Sequence, residues 1–163
     1  MNQERAQRLR ILSRKNRGRL AVDGYLEELR IAGVVLPETE LLSLEESDAI
    51  MSARSAREYQ LTLKLEVLVS ERIRFVTALQ AFLEDEDFSA SFLWSPKLEY
   101  LGLIQLSAFT LDAATLLNLL HIKSHSGQFA LLGTTKDVEL DIDEDYFGNR
   151  YREIYTLKIK EKS

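Results

Sequence analysis

The feature that most restricts how this chain can fold is KDVELDIDEDYFGNRYREIYTLKI, residues 136–159, where Asp137, Glu139, Asp141, Asp143 and Asp145 take every second position. Side chains on a β-strand alternate between two faces, so a strict polar/apolar alternation predicts a half-buried strand with its acids on one side. The central FGNR offers Gly148 and Asn149 as a two-residue loop, because Gly and Asn accept the positive φ angles of primed hairpin turns. That turn sets the register: opposed residues have numbers summing to 297, which pairs Val138 with Ile159, Leu140 with Leu157 and Ile142 with Tyr155 on the core face. On the other face it pairs Asp137 with Lys160, Glu139 with Lys158 and Asp145 with Arg152, while Glu144 faces Glu153. Asp141, opposite Thr156, and Asp143, opposite Ile154, are left without a basic neighbour. Those two are the functional candidates of the hairpin.

Around this hairpin the rest of the chain reads as α+β: N-terminal helices followed by an antiparallel sheet of about five to six strands with one crossing helix. Residues 2–16 form a helix with a thin stripe at Ala6, Leu9 and Leu12, Gly18 breaks it, and a second helix spans 20–32 with Val22, Tyr25, Leu26 and Leu29 on one face and Gly33 as its cap before Pro37. The two make a helical hairpin. Ser43 and Glu46 form a capping box that opens a third helix to about Arg57. Residues 58–69 stay open: LTLKLEV at 61–67 alternates as a strand does, but a continuous helix over 43–84 also fits the absence of Gly and Pro. Over 70–85 a helix is predicted with Ser70 as N-cap and a stripe of Ile73, Val76, Leu79 and Leu83. Phe88, Ala90, Phe92 and Trp94 alternate with serines, and 98–108, apolar on both faces, reads as a central strand. Thr110 caps a helix over 111–123 that Gly127 follows, and strands are expected at 128–133, 138–145 and 151–160.

A length of 163 residues with 45% apolar content predicts one folded domain with a basic head over 1–36 and an acidic body over 37–163. Residues 1–33 hold eight Lys/Arg against four Asp/Glu, net +4; the remainder holds thirteen against twenty-two, net −9. With no cysteine, thiolate metal sites, disulfides and cysteine nucleophiles are excluded. The charged N-terminus lacks the apolar segment of a secretory signal, and 101–120 is interrupted by Gln105, Asp112 and Asn118, so no membrane span and a cytoplasmic location are expected.

Catalytic patterns are thin. Asp141 and Asp143 share a strand face as magnesium or calcium ligands can, but no third ligand or calcium-loop spacing accompanies them. His121 and His125 have the four-residue helical spacing of a zinc pair, yet Ile122 stands where a metalloprotease has glutamate, and the favourable placement of cations at a helix end explains both. GTTK at 133–136 is not a phosphate loop, and no Lys has an acid two residues before it. No enzyme, metal or cofactor is expected. The leading function is a binding protein that inhibits or neutralises a basic protein partner, as an immunity protein or antitoxin does, through Asp141 and Asp143 and the acidic loop Asp85, Glu86 and Asp87. The alternative is an accessory subunit that contacts nucleic acid through Arg8, Arg10, Arg14, Lys15, Arg17 and Arg19. No aromatic lies among those bases to stack a nucleotide, and a solvated helix docked on the acidic body accounts for them as well.

Overall fold

The computed structural model describes residues 2–35, 40–85, 89–106, 112–147 and 150–163, with backbone only for 145–147. The chain is α+β, with helices leading into a six-stranded antiparallel sheet. The elements run α1 (Asn2–Ile31), α2 (Leu44–Ser55), β1 (Tyr59–Leu68), α3 (Arg72–Leu83), β2 (Ala90–Trp94), α4 (Leu98–Leu101), β3 (Ile104–Gln105), α5 (Ala113–Leu120), β4 (Gln128–Gly133), β5 (Lys136–Phe147) and β6 (Arg150–Lys162). The strand order is β1-β6-β5-β4-β2-β3.

The hairpin register is the expected one: Val138 opposes Ile159, Leu140 opposes Leu157 and Ile142 opposes Tyr155. The turn at Gly148 and Asn149 lies outside the described residues. Val138, Leu140, Tyr155, Leu157, Phe129 and Leu131 form the inner face and pack in one core with Tyr25 and Leu29 of α1, Phe75 and Leu79 of α3, and Leu116 and Leu120 of α5. The outer face carries a smaller apolar cluster of Leu103, Ala130 and Leu132, covered by Ile50 and Met51 of α2. Residues 61–67 are strand. One slip breaks their alternation: Leu61 opposes Lys160 while Leu63 opposes Ile159, so Thr62 is an extra residue that turns Leu61 to the outer face.

Four expectations are corrected. The helical hairpin of the head is one continuous helix, α1. Gly18 does not break it; a Cβ there would collide with the Tyr100 carbonyl oxygen, so glycine lets the helix lie against α4. The helix instead ends at Gly33, where Val34 N–H bonds to Leu29 O at 2.9 Å and Gly33 N–H to Arg30 O at 3.0 Å, the pair of bonds of a Schellman motif. In α3 the buried residues are Phe75 and Leu79, Ile73 is 80% exposed, and Ser70 sits in a 3₁₀ turn with no capping role. The predicted central strand over 98–108 is, in its described part up to 106, α4 followed by the two-residue edge strand β3; Gly102, at φ 81° and placed where a Cβ would collide with the Leu42 carbonyl oxygen, redirects the chain. Its residues are apolar on both sides because α1 and α2 enclose them. The helix expected at 111–123 is α5, capped by Asp112, whose carboxylate accepts from Thr115 N–H at 2.8 Å; Thr110 lies outside the described residues. The Ser43–Glu46 capping box is formed as expected.

Candidate functional site in the outer-face cleft

The acidic comb of β5 points to the outer face, where α2 covers β4 and the Asp137 end of β5. Between α2 and the open part of that face lies a cleft of about 440 Å³, within the range of small-ligand pockets. Met51 and Arg54 of α2 form one wall, Tyr59 and Trp94 supply aromatic surface, and Glu139, Asp141 and Lys160 reach it from the hairpin. Alternation along β5 places the acids, the residue spacing of α2 places Met51 and Arg54, and the β1 pairing of Tyr59 with Lys162 brings the tyrosine across β6.

The charges are wired differently from a straight cross-strand reading. Asp137 is buried and its partner is Arg54, not Lys160; Arg54 also donates to Gly133 O at 3.1 Å, and Gly133 N–H donates to Asp137 at 3.1 Å. Lys160 instead bonds Glu139 at 2.5 Å, and Lys158 reaches Asp141 at 3.4 Å, each a diagonal step along the hairpin. Diagonal neighbours lie within reach of long side chains on a twisted pair. The expectation that Asp141 lacks a basic neighbour is therefore corrected. Asp141 has Lys158 at the long end of an ion pair, and Asp143 accepts from the Thr156 hydroxyl at 2.9 Å. Burial raises the Asp141 pKa, and Lys158 only partly opposes it. Tyr59 Oη is buried without a hydrogen-bond partner among the described residues, while the Arg54 guanidinium sits 5.6 Å from its ring centroid. An unpaired buried hydroxyl costs free energy, which a polar ligand atom can recover.

Asp85 is also not isolated, with Lys136 Nζ at 3.7 Å; Glu86 and Asp87 lie outside the described residues. Glu144 and Glu153 face each other as expected, and the Tyr151 hydroxyl lies at 3.0 and 3.3 Å from them.

Of the basic head, three residues are engaged with the body. Arg14 makes a forked pair with Asp48 at 2.7 and 2.9 Å, Lys15 meets Glu45 at 2.6 Å, and Arg17 meets Glu99 at 3.4 Å while lying 4.7 Å over the Tyr100 ring. Arg8, Arg10 and Arg19 are exposed and form no ion pair among the described residues. The two histidines do not share a helical face, because α5 ends before them. His125 is wholly buried between Tyr25 Oη and Leu119 O, each at 2.8 Å, and desolvation lowers its pKa to about 4. A helix-end cation thus describes His125 wrongly: it is a neutral core residue. His121 Nε2 lies 2.7 Å from the Tyr155 hydroxyl. No three metal-ligating side chains converge among the described residues, and no helix among them is long and apolar enough to cross a membrane.

Arg54, Tyr59 and Trp94 carry no sequence signal of a shared site. Only the alternation of Phe92 and Trp94 places the tryptophan on a definite sheet face. Comparison with family models, curated proteins and solved structures finds no match.

Proposed function

We propose that the protein is a non-enzymatic cytoplasmic binding protein that neutralises a basic protein partner, as an immunity protein neutralises a toxin, by receiving a cationic side chain of that partner in the outer-face cleft. The observation that carries this reading is the incompletely compensated Asp141 carboxylate beside aromatic walls: burial raises its pKa, and Lys158 at 3.4 Å offsets only part of that rise. An arginine or lysine head inserted between Trp94 and Tyr59 would supply charge to Asp141 and Glu139, stack on an aromatic face and offer a donor to Tyr59 Oη. Among the described residues the cleft presents no histidine to act as base.

Trp94 is the one tryptophan of the chain, so its emission reports the cleft directly. Titration with N-acetyl-arginine amide should change that emission saturably, more weakly at high salt, and not at all in Asp141→Asn with Glu139→Gln. The uncharged citrulline analogue is the control. Equal responses to both probes, or none to either, would refute a cation site.

A second reading, contact with nucleic acid through α1, is favoured by Arg8, Arg10 and Arg19, exposed and without an ion pair among the described residues. It is weakened by the engagement of Arg14, Lys15 and Arg17 with Asp48, Glu45 and Glu99. Anisotropy of a labelled duplex should show salt-dependent binding that is lost in the triple alanine variant of Arg8, Arg10 and Arg19.

A further inference from the structure

The two edges of the sheet differ. The β3 edge is two residues long and is blunted by Leu41, which bridges Ile104. The β1 edge is ten residues long and free of proline, its strand mostly exposed. Two large apolar side chains of the strand lie exposed, Leu61 and Leu63. An edge of this kind presents a row of backbone donors and acceptors to another strand, and natural proteins usually blunt it.

We propose that this edge pairs with β1 of a second copy of the chain, antiparallel about a two-fold axis at Leu65. The charges of the strand select that partner and that register. A two-fold strand pair must oppose residues whose numbers sum to an even value, since outward-facing backbone groups recur every second residue. A sum of 128 sets Lys64 against itself, and 132 sets Glu66 against itself; like charges directly opposed are destabilising. A sum of 130 sets Lys64 opposite Glu66 of the other copy, twice, with Leu63 opposite Val67 and Leu65 on the axis. The bulge points the same way. Thr62 disturbs the strand, and the regular stretch beyond it, Leu63–Val67, is centred on Leu65.

Within one chain Lys64 stands opposite Lys158, a like-charge neighbour, and is held by Glu66 of its own strand at 2.6 Å. Pairing at this register would surround it with two carboxylates and give an alternating square of four charges on the outer face. The apolar Leu63 of each copy would face Val67 of the other on the inner side. A five-residue edge contact of this kind is small, so the association is a weak and reversible one. The paired stretch, Leu63–Val67, contributes no side chain to the cleft, which takes Tyr59 alone from β1.

Sedimentation equilibrium of the full chain tests the pairing. The wild type should dimerise reversibly in the micromolar range, and Lys64→Glu or Glu66→Lys alone should weaken the dimer by at least about tenfold, because two attractive pairs become repulsive. The double variant Lys64→Glu with Glu66→Lys restores opposite charges at the same register and should dimerise like wild type. Circular dichroism of each variant checks that the exposed substitutions leave the fold intact. A wild type that stays monomeric to millimolar concentration, a dimer indifferent to the single reversals, or a double variant that fails to recover would each overturn the proposal.

Discussion

The inner and outer faces of β5 and β6 are built from the same two strands and hold opposite chemistry. On the inner face Val138, Leu140, Tyr155 and Leu157 are buried beneath three helices, and their stability is set by packing. On the outer face Glu139, Asp141, Lys158 and Lys160 form a ladder of ion pairs beside a cleft. Ion pairs that keep part of their surface in water, as these do, contribute modestly to stability and leave the face free to specialise in recognition. The exception is Asp137, which α2 covers, so a charge on the nominally polar face becomes as buried as a core residue.

Substitutions can sharpen this contrast. The largest effect is expected at Leu140→Ala, which empties a wholly buried site in the middle of the inner face and should cost about 4 kcal/mol by chemical denaturation. A loss under about 0.5 kcal/mol would mean the faces are misassigned.

Acid should strain the inner face next, through His125. Its folded pKa of about 4 lies below the ordinary 6.5, so between these values the unfolded chain binds the extra proton. The contribution of neutral His125 is therefore complete above about pH 6.5 and is lost as pH falls toward 4, by about 3 kcal/mol. Denaturation curves across that window, wild type beside His125→Gln, isolate it; identical pH slopes in both would refute a neutral buried imidazole.

Breaking the buried pair of the outer face should come third. Arg54→Ala leaves Asp137 covered without its partner, and since the cleft admits water nearby the cost should be about 2 kcal/mol, below that of a fully enclosed pair. Suppression of that cost by adding Asp137→Asn would identify the orphaned charge as its cause.

The smallest effect belongs to the open ladder. Neutralising Asp141 and Asp143 to Asn should change stability by no more than about 0.5 kcal/mol, while slowing association with a basic partner and flattening its salt dependence. A large stability loss there would erase the distinction between the two faces.

Much of this contrast is legible in the residues themselves. The alternation of 136–159 and the FGNR turn determine which residues oppose one another in the hairpin, and Ser43 with Glu46 determines where α2 begins, because both depend on residues near in sequence and on backbone periodicity. Which charges meet is not legible. Lys158 and Lys160 choose diagonal partners because the strands twist, and Asp137 takes Arg54 from α2 across 83 residues of chain. A glycine in a helical pattern suggests a local break, yet Gly18 lies within α1 because α4 approaches it.

His125 and the segment 98–105 teach the same distinction. A histidine after a helix looks like a terminal cation until Tyr25, 100 residues away, closes over it. An apolar run looks like a central strand until α1 and α2 enclose it from both sides. Periodicity, capping and turn chemistry act over a few residues and are written in the sequence itself. Burial, by contrast, depends on which distant element arrives to exclude water, and here that arrival decided the cleft, the neutral histidine and the costly ion pair of Arg54 with Asp137.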